Sequence, residues 1–151
     1  MQELDAKERV KQILSTNQIC MLATASLTGK PEVATMEYTE DDQFNLYFET
    51  FPKYRKYTNL KTNPYASVVI NQLPHTIQMD GTATELTGAE RENAKHQLTN
   101  KHGSKNQYQD PTICFFKFTP TWIRVLVEPK YPPKFVVLKG EGKKEAHELA
   151  R

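Results

Sequence analysis

Apolar and polar positions change period repeatedly along the chain, and each change marks an element. Residues 5–16 place Val10, Ile13 and Leu14 on one helical face, with Asp5 as the cap and Glu8 at the capping-box position. Residues 18–25 then read as a buried strand, Leu27 to Lys30 as a glycine turn, and residues 31–39 as a returning strand. The polar run Glu40 to Gln43 is a hairpin signal, and residues 44–50 are the next strand. A short helix over 53–62 follows Phe51-Pro52, ends at Asn63-Pro64, and gives way to a strand from Tyr65 to Gln72. After a bend at Leu73-Pro74, Thr76 to Leu86 form a strand in which Gly81 marks a bulge or corner. Thr87 and Glu90 form a second capping box for a polar helix over 88–101, whose weak apolar face is Ala89, Ala94 and Leu98. Residues 102–111 are a loop. ICFFKF and WIRVLV read as a closing hairpin turned at Thr119-Pro120.

Hairpin-linked strands predict an antiparallel meander or barrel, mainly β with flanking helices. Beyond Glu128-Pro129 the texture changes: KFVVLK reads as an edge strand, and residues 140–151 as a frayed or weakly helical tail. The expected organisation is one domain over 1–128 with an extension over 129–151.

Apolar residues make up 38% and charged residues 25% of the 151, enough to bury a core without cross-links. Cys20 and Cys114 each lie inside an apolar run, so buried free thiols are expected. A net charge of +2, with scattered cations, argues against a nucleic-acid partner. No apolar run approaches the roughly 20 residues needed to span a bilayer. The charged start lacks a signal-peptide core, so no membrane partner and a cytoplasmic location are expected. His75, His96, His102 and His147 lack metal spacing, and no metal is expected. No glycine-rich phosphate loop and no GxSxG elbow occurs, and no catalytic acid–base pair stands out.

One cluster changes the picture. Lys53, Arg55 and Lys56 follow a strand end and a proline, where a short helix begins, with the Thr50 hydroxyl just before them. Helix-start amides, the positive dipole end and adjacent cations together favour an oxyanion. The alternative is a solvated helix face. A phosphorylated ligand on a β-rich scaffold is the specific reading.

These residues resemble a known family. Thr50, Arg55-Lys56, the Asn-Leu-x-x-Asn-Pro helix end and the strand after it resemble the pyridoxamine 5'-phosphate oxidase-like FMN-binding split β-barrel superfamily. ATASLTGKPEVATMEY is similar to that group's opening hairpin, and TIQMDGTATEL to a later strand. The likeness runs from about Ile19 to Leu86, with a weaker echo in FFKFTPTWIRVLV. It implies a barrel that forms a homodimer, with FMN in a groove between subunits. Arg55 and Lys56 match the phosphate-binding basic pair, Thr50 its hydroxyl, and Tyr54 stands where a Ser is common. Ala34, Thr35, Met36 and Glu37 match the strand along the isoalloxazine edge, with an acid at Glu37 where a basic residue is usual. Thr76 falls near a position often occupied by Gln. Trp122 and Arg124 are candidates for residues the partner subunit brings to the flavin, Lys139 is a weaker cation candidate, and His75 can reach the groove. Trp122 packing in the core or an interface, and Arg124 as a surface charge, remain the alternatives.

The C-terminus lacks the Arg-rich segment of the vitamin B6 oxidases, so the resemblance implies a smaller, general relative. The expected function is an FMN-dependent oxidoreductase acting with an unidentified small-molecule substrate or electron donor. The alternatives are a non-catalytic flavin or haem carrier or a stress-related binding protein on the same barrel, and a deazaflavin-dependent reductase.

Overall fold

The computed structural model describes residues 3–139 of the chain. The expected tail over 140–151 lies outside them. Helix α1 spans Glu3–Thr16, and strands β1 to β4 span Ile19–Ala25, Pro31–Glu37, Thr39–Glu40 and Leu46–Thr50. Helix α2 is Arg55–Thr62, β5 Tyr65–Gln72, β6 His75–Glu85 and α3 Gly88–His102. A 3-10 turn over Asn106–Gln109 precedes β7, Cys114–Glu128, and β8, Lys134–Lys139. The result is a mainly antiparallel sheet, curled into a split barrel, with three flanking helices. Its order is β2-β1-β5-β6-β7-β4-β3, with β8 on β7.

Strand alternation fills the barrel. Leu22, Val68, Ile70, Ile77, Met79, Phe116, Phe118, Ile123 and Val125 point inward and are at most 2% exposed. Phe48 and Phe116 stack with ring centroids 5.6 Å apart, and Tyr57 of α2 meets Phe116 edge-on at 5.9 Å. Helix α1 adds Ala6, Val10, Ile13 and Leu14, all buried, at the i, i+4, i+7, i+8 spacing of one face. A second, smaller cluster lies where α3 and the 3-10 turn cover the sheet: Leu86, Ala94, Leu98, Tyr108, Ile113 and Phe115. Cys20 and Cys114 are buried and free, as expected, and burial pushes the Cys20 thiol up to about 12.

Several local expectations are corrected. The supposed hairpin at Thr119-Pro120 is one continuous 15-residue strand. Residues 114–118 of β7 pair with β4, and β8 pairs only from Ile123 onward, so Pro120 falls in the gap between the two partners. On its other side β6 shifts register between Asp80 and Gly81, the bulge expected at that glycine. Asp5 is not a cap, because α1 already begins at Glu3. Thr87 does sit at the N-cap of α3, but its side chain makes no capping hydrogen bond. Ala89 is exposed, and only Ala94 and Leu98 of the expected trio are buried. The 102–111 loop holds the 3-10 turn, which seats Tyr108 at 1% exposure. Among the described residues no helix is long and apolar enough to cross a membrane.

The β3–β4 hairpin shows why its polar signal was informative. Asp41 Oδ1 accepts the amides of Gln43 and Asn45 at 2.9 and 3.0 Å; Oδ2 accepts Asn45 Nδ2 and the Tyr47 hydroxyl, both at 2.9 Å. Burial alone would raise this carboxyl, but the four hydrogen bonds outweigh it and hold Asp41 below its usual value. A lowered folded value means the contribution is complete above the unfolded aspartate range of about 3.9 and fades as pH falls through the folded value. Asp41→Asn is therefore expected to be less stable than the parent at neutral pH and to lose less stability on acidification through that window. Urea unfolding at a series of pH values checks this; parallel curves for the two proteins would refute it.

Candidate functional site

The basic cluster is placed by a change of element. Strand β4 ends at Thr50, Phe51-Pro52 turns the chain, and α2 starts at Arg55. Tyr54 occupies the N-cap in an extended conformation, φ −85° and ψ 146°, and no side chain caps the first turn. The helix is anchored from below by Leu60, 3% exposed, and by Asn59, whose Nδ2 donates to Thr24 Oγ1 of β1 at 3.0 Å in a buried bond. This bond ties the middle of α2 to β1.

Between them lies a cavity of about 210 Å³ lined by Leu22, Thr24, Glu32 and Ala34 of the β1–β2 hairpin and by Tyr54, Arg55 and Lys56. Among the described residues strand β2 pairs only with β1, so its other backbone edge has no strand partner there. Arg55 is 78% exposed at its side chain, and its Nε donates to Glu32 Oε2 at 2.8 Å. Lys30 Nζ lies 3.9 Å from the same carboxylate. The Lys56 ammonium sits 4.8 Å from the Tyr54 ring centroid. Burial pulls Lys56 down, and the Glu49 and Glu32 carboxylates oppose that shift.

Four residues expected at the site, Ala34, Tyr54, Arg55 and Lys56, come together here. Lys53 turns toward the Phe51 and Tyr54 rings, 5.8 and 5.7 Å from their centroids. Thr50 is 1% exposed, and its Oγ1 has no hydrogen-bond partner among the described residues. Strand alternation divides the β2 quartet. Met36 points inward and is 7% exposed, while Thr35 is exposed with its hydroxyl 3.3 Å from Met21 Sδ. Glu37 does not line this cavity; it pairs with Lys105 Nζ and lies 3.4 Å from His102 Nδ1.

Thr76, Trp122 and Arg124 lie on the outer face, opposite the buried Ile77, Met79, Ile123 and Val125 of their strands. Thr76 Oγ1 donates to Asn71 Oδ1 at 3.3 Å. Arg124 donates to Gln78 Oε1 at 2.8 Å and lies 4.2 Å over the Phe135 ring, with Trp122 at 5.6 Å. Trp122 Nε1 is buried with no hydrogen-bond partner among the described residues. Within one chain these three do not join the cavity. Lys139 is exposed at the end of β8, and His75 is bonded through Nδ1 to the Leu126 carbonyl at 2.9 Å.

Glu32 and Thr24 were not singled out from the sequence, although period two puts Glu32 on the same face as Ala34 and Met36. A larger cavity of about 860 Å³ lies between α1 and the β3–β4 hairpin, but Asp5, Glu8, Glu40, Asp41 and Asp42 line it. Five carboxylates against two cations, Arg9 and Lys11, leave it net negative and the wrong place for a phosphate.

The comparisons agree with this architecture. The family model described as Pyridoxamine 5'-phosphate oxidase matches residues 6–127. No curated protein matches the sequence. The structure is similar to General Stress Protein 26 from Bacillus anthracis, at 24% identity and TM-score 0.65 over 87% of this chain and 97% of that one. It is similar to the haem storage protein HutZ from Vibrio cholerae, at 16% identity and TM-score 0.68 over 75% of this chain and 88% of that one. A haem binding protein from Mycobacterium smegmatis gives TM-score 0.75 at 19% identity, covering 90% of this chain but 58% of the other.

Proposed function

The chain belongs to the pyridoxamine 5'-phosphate oxidase family, and from that premise we propose that it binds FMN, with the phosphate at the start of α2, and serves as a flavin-dependent oxidoreductase. The observation that carries this is the meeting of Arg55, Lys56 and an uncapped helix start in one cavity beside a strand edge with no strand partner among the described residues. Two cations and helix-start amides are what a phosphomonoester needs. The unpartnered, buried Thr50 hydroxyl is a further donor on the same connection. The cavity is smaller than the roughly 300 Å³ at which cofactor pockets begin, so it suits the phosphate end, with the ring system lying along β2.

Bound flavin would supply the electron transfer itself. The chain's residues hold and shield it: Arg55 and Lys56 fix the anionic end, and the backbone of Ala34 to Glu37 lines the ring edge. Trp122, Arg124 and Thr76 face away from the cavity of their own chain, so they serve a flavin only if a second copy presents them. The reading therefore includes a homodimer, built on the outer face where Ile19, Met21 and Val33 are 46%, 39% and 71% exposed. The substrate is a small molecule or electron donor that enters the shared groove.

A second reading, haem binding, is favoured by His75. With Nδ1 donating to the Leu126 carbonyl, its Nε2 carries the free lone pair an iron ligand needs. Absorbance of the purified protein separates the two. A yellow flavin spectrum, with FMN released on denaturation and a dimer in light scattering, is expected. A Soret band that Glu substitution of His75 removes would replace the flavin reading with the haem one.

A further inference from the structure

We propose that Glu32 is a specificity-determining residue of the phosphate seat, an internal anion that competes with the bound phosphate for Arg55 and so narrows the preference for FMN over a flavin without phosphate. The inference rests on the FMN reading above and deepens it. Glu32 lies on β2 inside the cavity, only 17% exposed at its side chain, and its Oε2 takes the Arg55 Nε at 2.8 Å. Lys30 approaches the same carboxylate from the hairpin turn at 3.9 Å. Glu49 places a second acid near Lys56. Arg55 therefore already has a carboxylate partner within the chain, and Lys56 feels the charge of two carboxylates without pairing to either at contact distance.

This arrangement has a direct consequence. A phosphate arriving at Arg55 must displace Glu32 or share the guanidinium with it, and the two anions repel at close range. Displacement is feasible because Arg55 is mostly exposed, and an ion pair with one exposed partner is weakly held. Repulsion acts only on the charged end of the ligand. A flavin lacking phosphate does not meet it. Glu32 thus lowers the advantage that the phosphate confers, and FMN becomes exchangeable instead of permanently held. A residue that merely oriented Arg55 would act in the opposite direction, since its loss would weaken FMN.

The test uses flavin fluorescence titrations of the full chain, with FMN and with riboflavin, on the parent, Glu32→Gln, Arg55→Ala and the double variant. Glutamine keeps the shape and a hydrogen-bond acceptor while removing the charge. Glu32→Gln is expected to tighten FMN about tenfold and to leave riboflavin within about twofold. In the Arg55→Ala background the same change is expected to gain much less, because the contested cation is gone. Weaker FMN binding by Glu32→Gln, equal gains for both flavins, or a gain undiminished without Arg55 would each overturn the proposal while leaving FMN binding itself intact. If none of the proteins binds either flavin, the FMN reading fails and the role of Glu32 falls with it.

Discussion

Replacing Arg55 and Lys56 together with alanine is expected to lower FMN affinity by at least about tenfold while changing riboflavin affinity little. On the proposed reading each side chain would supply a charge-assisted contact, and such contacts contribute about 1.5–3 kcal/mol apiece. The two share one anion, so their effects will not simply add. The double substitution also removes the Arg55 partner of Glu32 and one of the two lysines acting on Glu49, with Lys30 and Lys105 remaining, so the cavity becomes more negative and repels phosphate more. Arg55 is 78% exposed at its side chain, and Lys56 is not part of the core, so the fold should survive and circular dichroism should be unchanged. Titration with both flavins decides the matter. Equal losses for FMN and riboflavin would show that the pair does not hold phosphate.

The largest effect on stability is expected at Gly81. An added Cβ would lie 2.2 Å from the Thr119 carbonyl oxygen and 2.9 Å from Pro120 Cα. Both are backbone atoms of the neighbouring strand, so no flexible side chain can move aside. To admit a methyl group, β6 and β7 must separate at the point where the register already shifts. Gly81→Ala should cost about 3 kcal/mol, at the upper end for overpacking. It should lower the urea midpoint with little change in slope. The seat at α2 is built by other strands, so folded protein should still bind FMN as the parent does. A loss smaller than about 0.5 kcal/mol, within the range of neutral surface changes, would mean that the two strands are not held this closely.

These two sites differ in how plainly the chain announces them. The basic cluster is local: three cations, a proline and a strand end lie within a few residues, and their chemistry does not depend on what packs nearby. Gly81 was legible as a bulge or corner, but its tight approach to Thr119 was not, because the contact joins residues far apart in sequence. Thr119-Pro120 misled for the same reason. Read locally, the dipeptide ends a strand. In the structure β7 runs through it, because the missing amide falls where neither β4 nor β8 pairs. Thr87 and Glu90 have the spacing of a capping box, yet the Thr87 side chain makes no cap bond. Spacing permits that bond, and side-chain orientation decides whether it forms.

The amino-acid order alone determined most of the run of helices and strands up to β7, the inward face of α1, the buried free thiols and the cationic helix start. Each of these follows from periodicity or from neighbours along the chain. Only the folded sheet decided the rest. It placed Glu32 against Arg55, turned Glu37 toward Lys105 and His102, and sent Trp122 and Arg124 to the outer face. These outcomes depend on which strands become neighbours and on the phase of their alternation, and a shift of one residue would reverse every one of them.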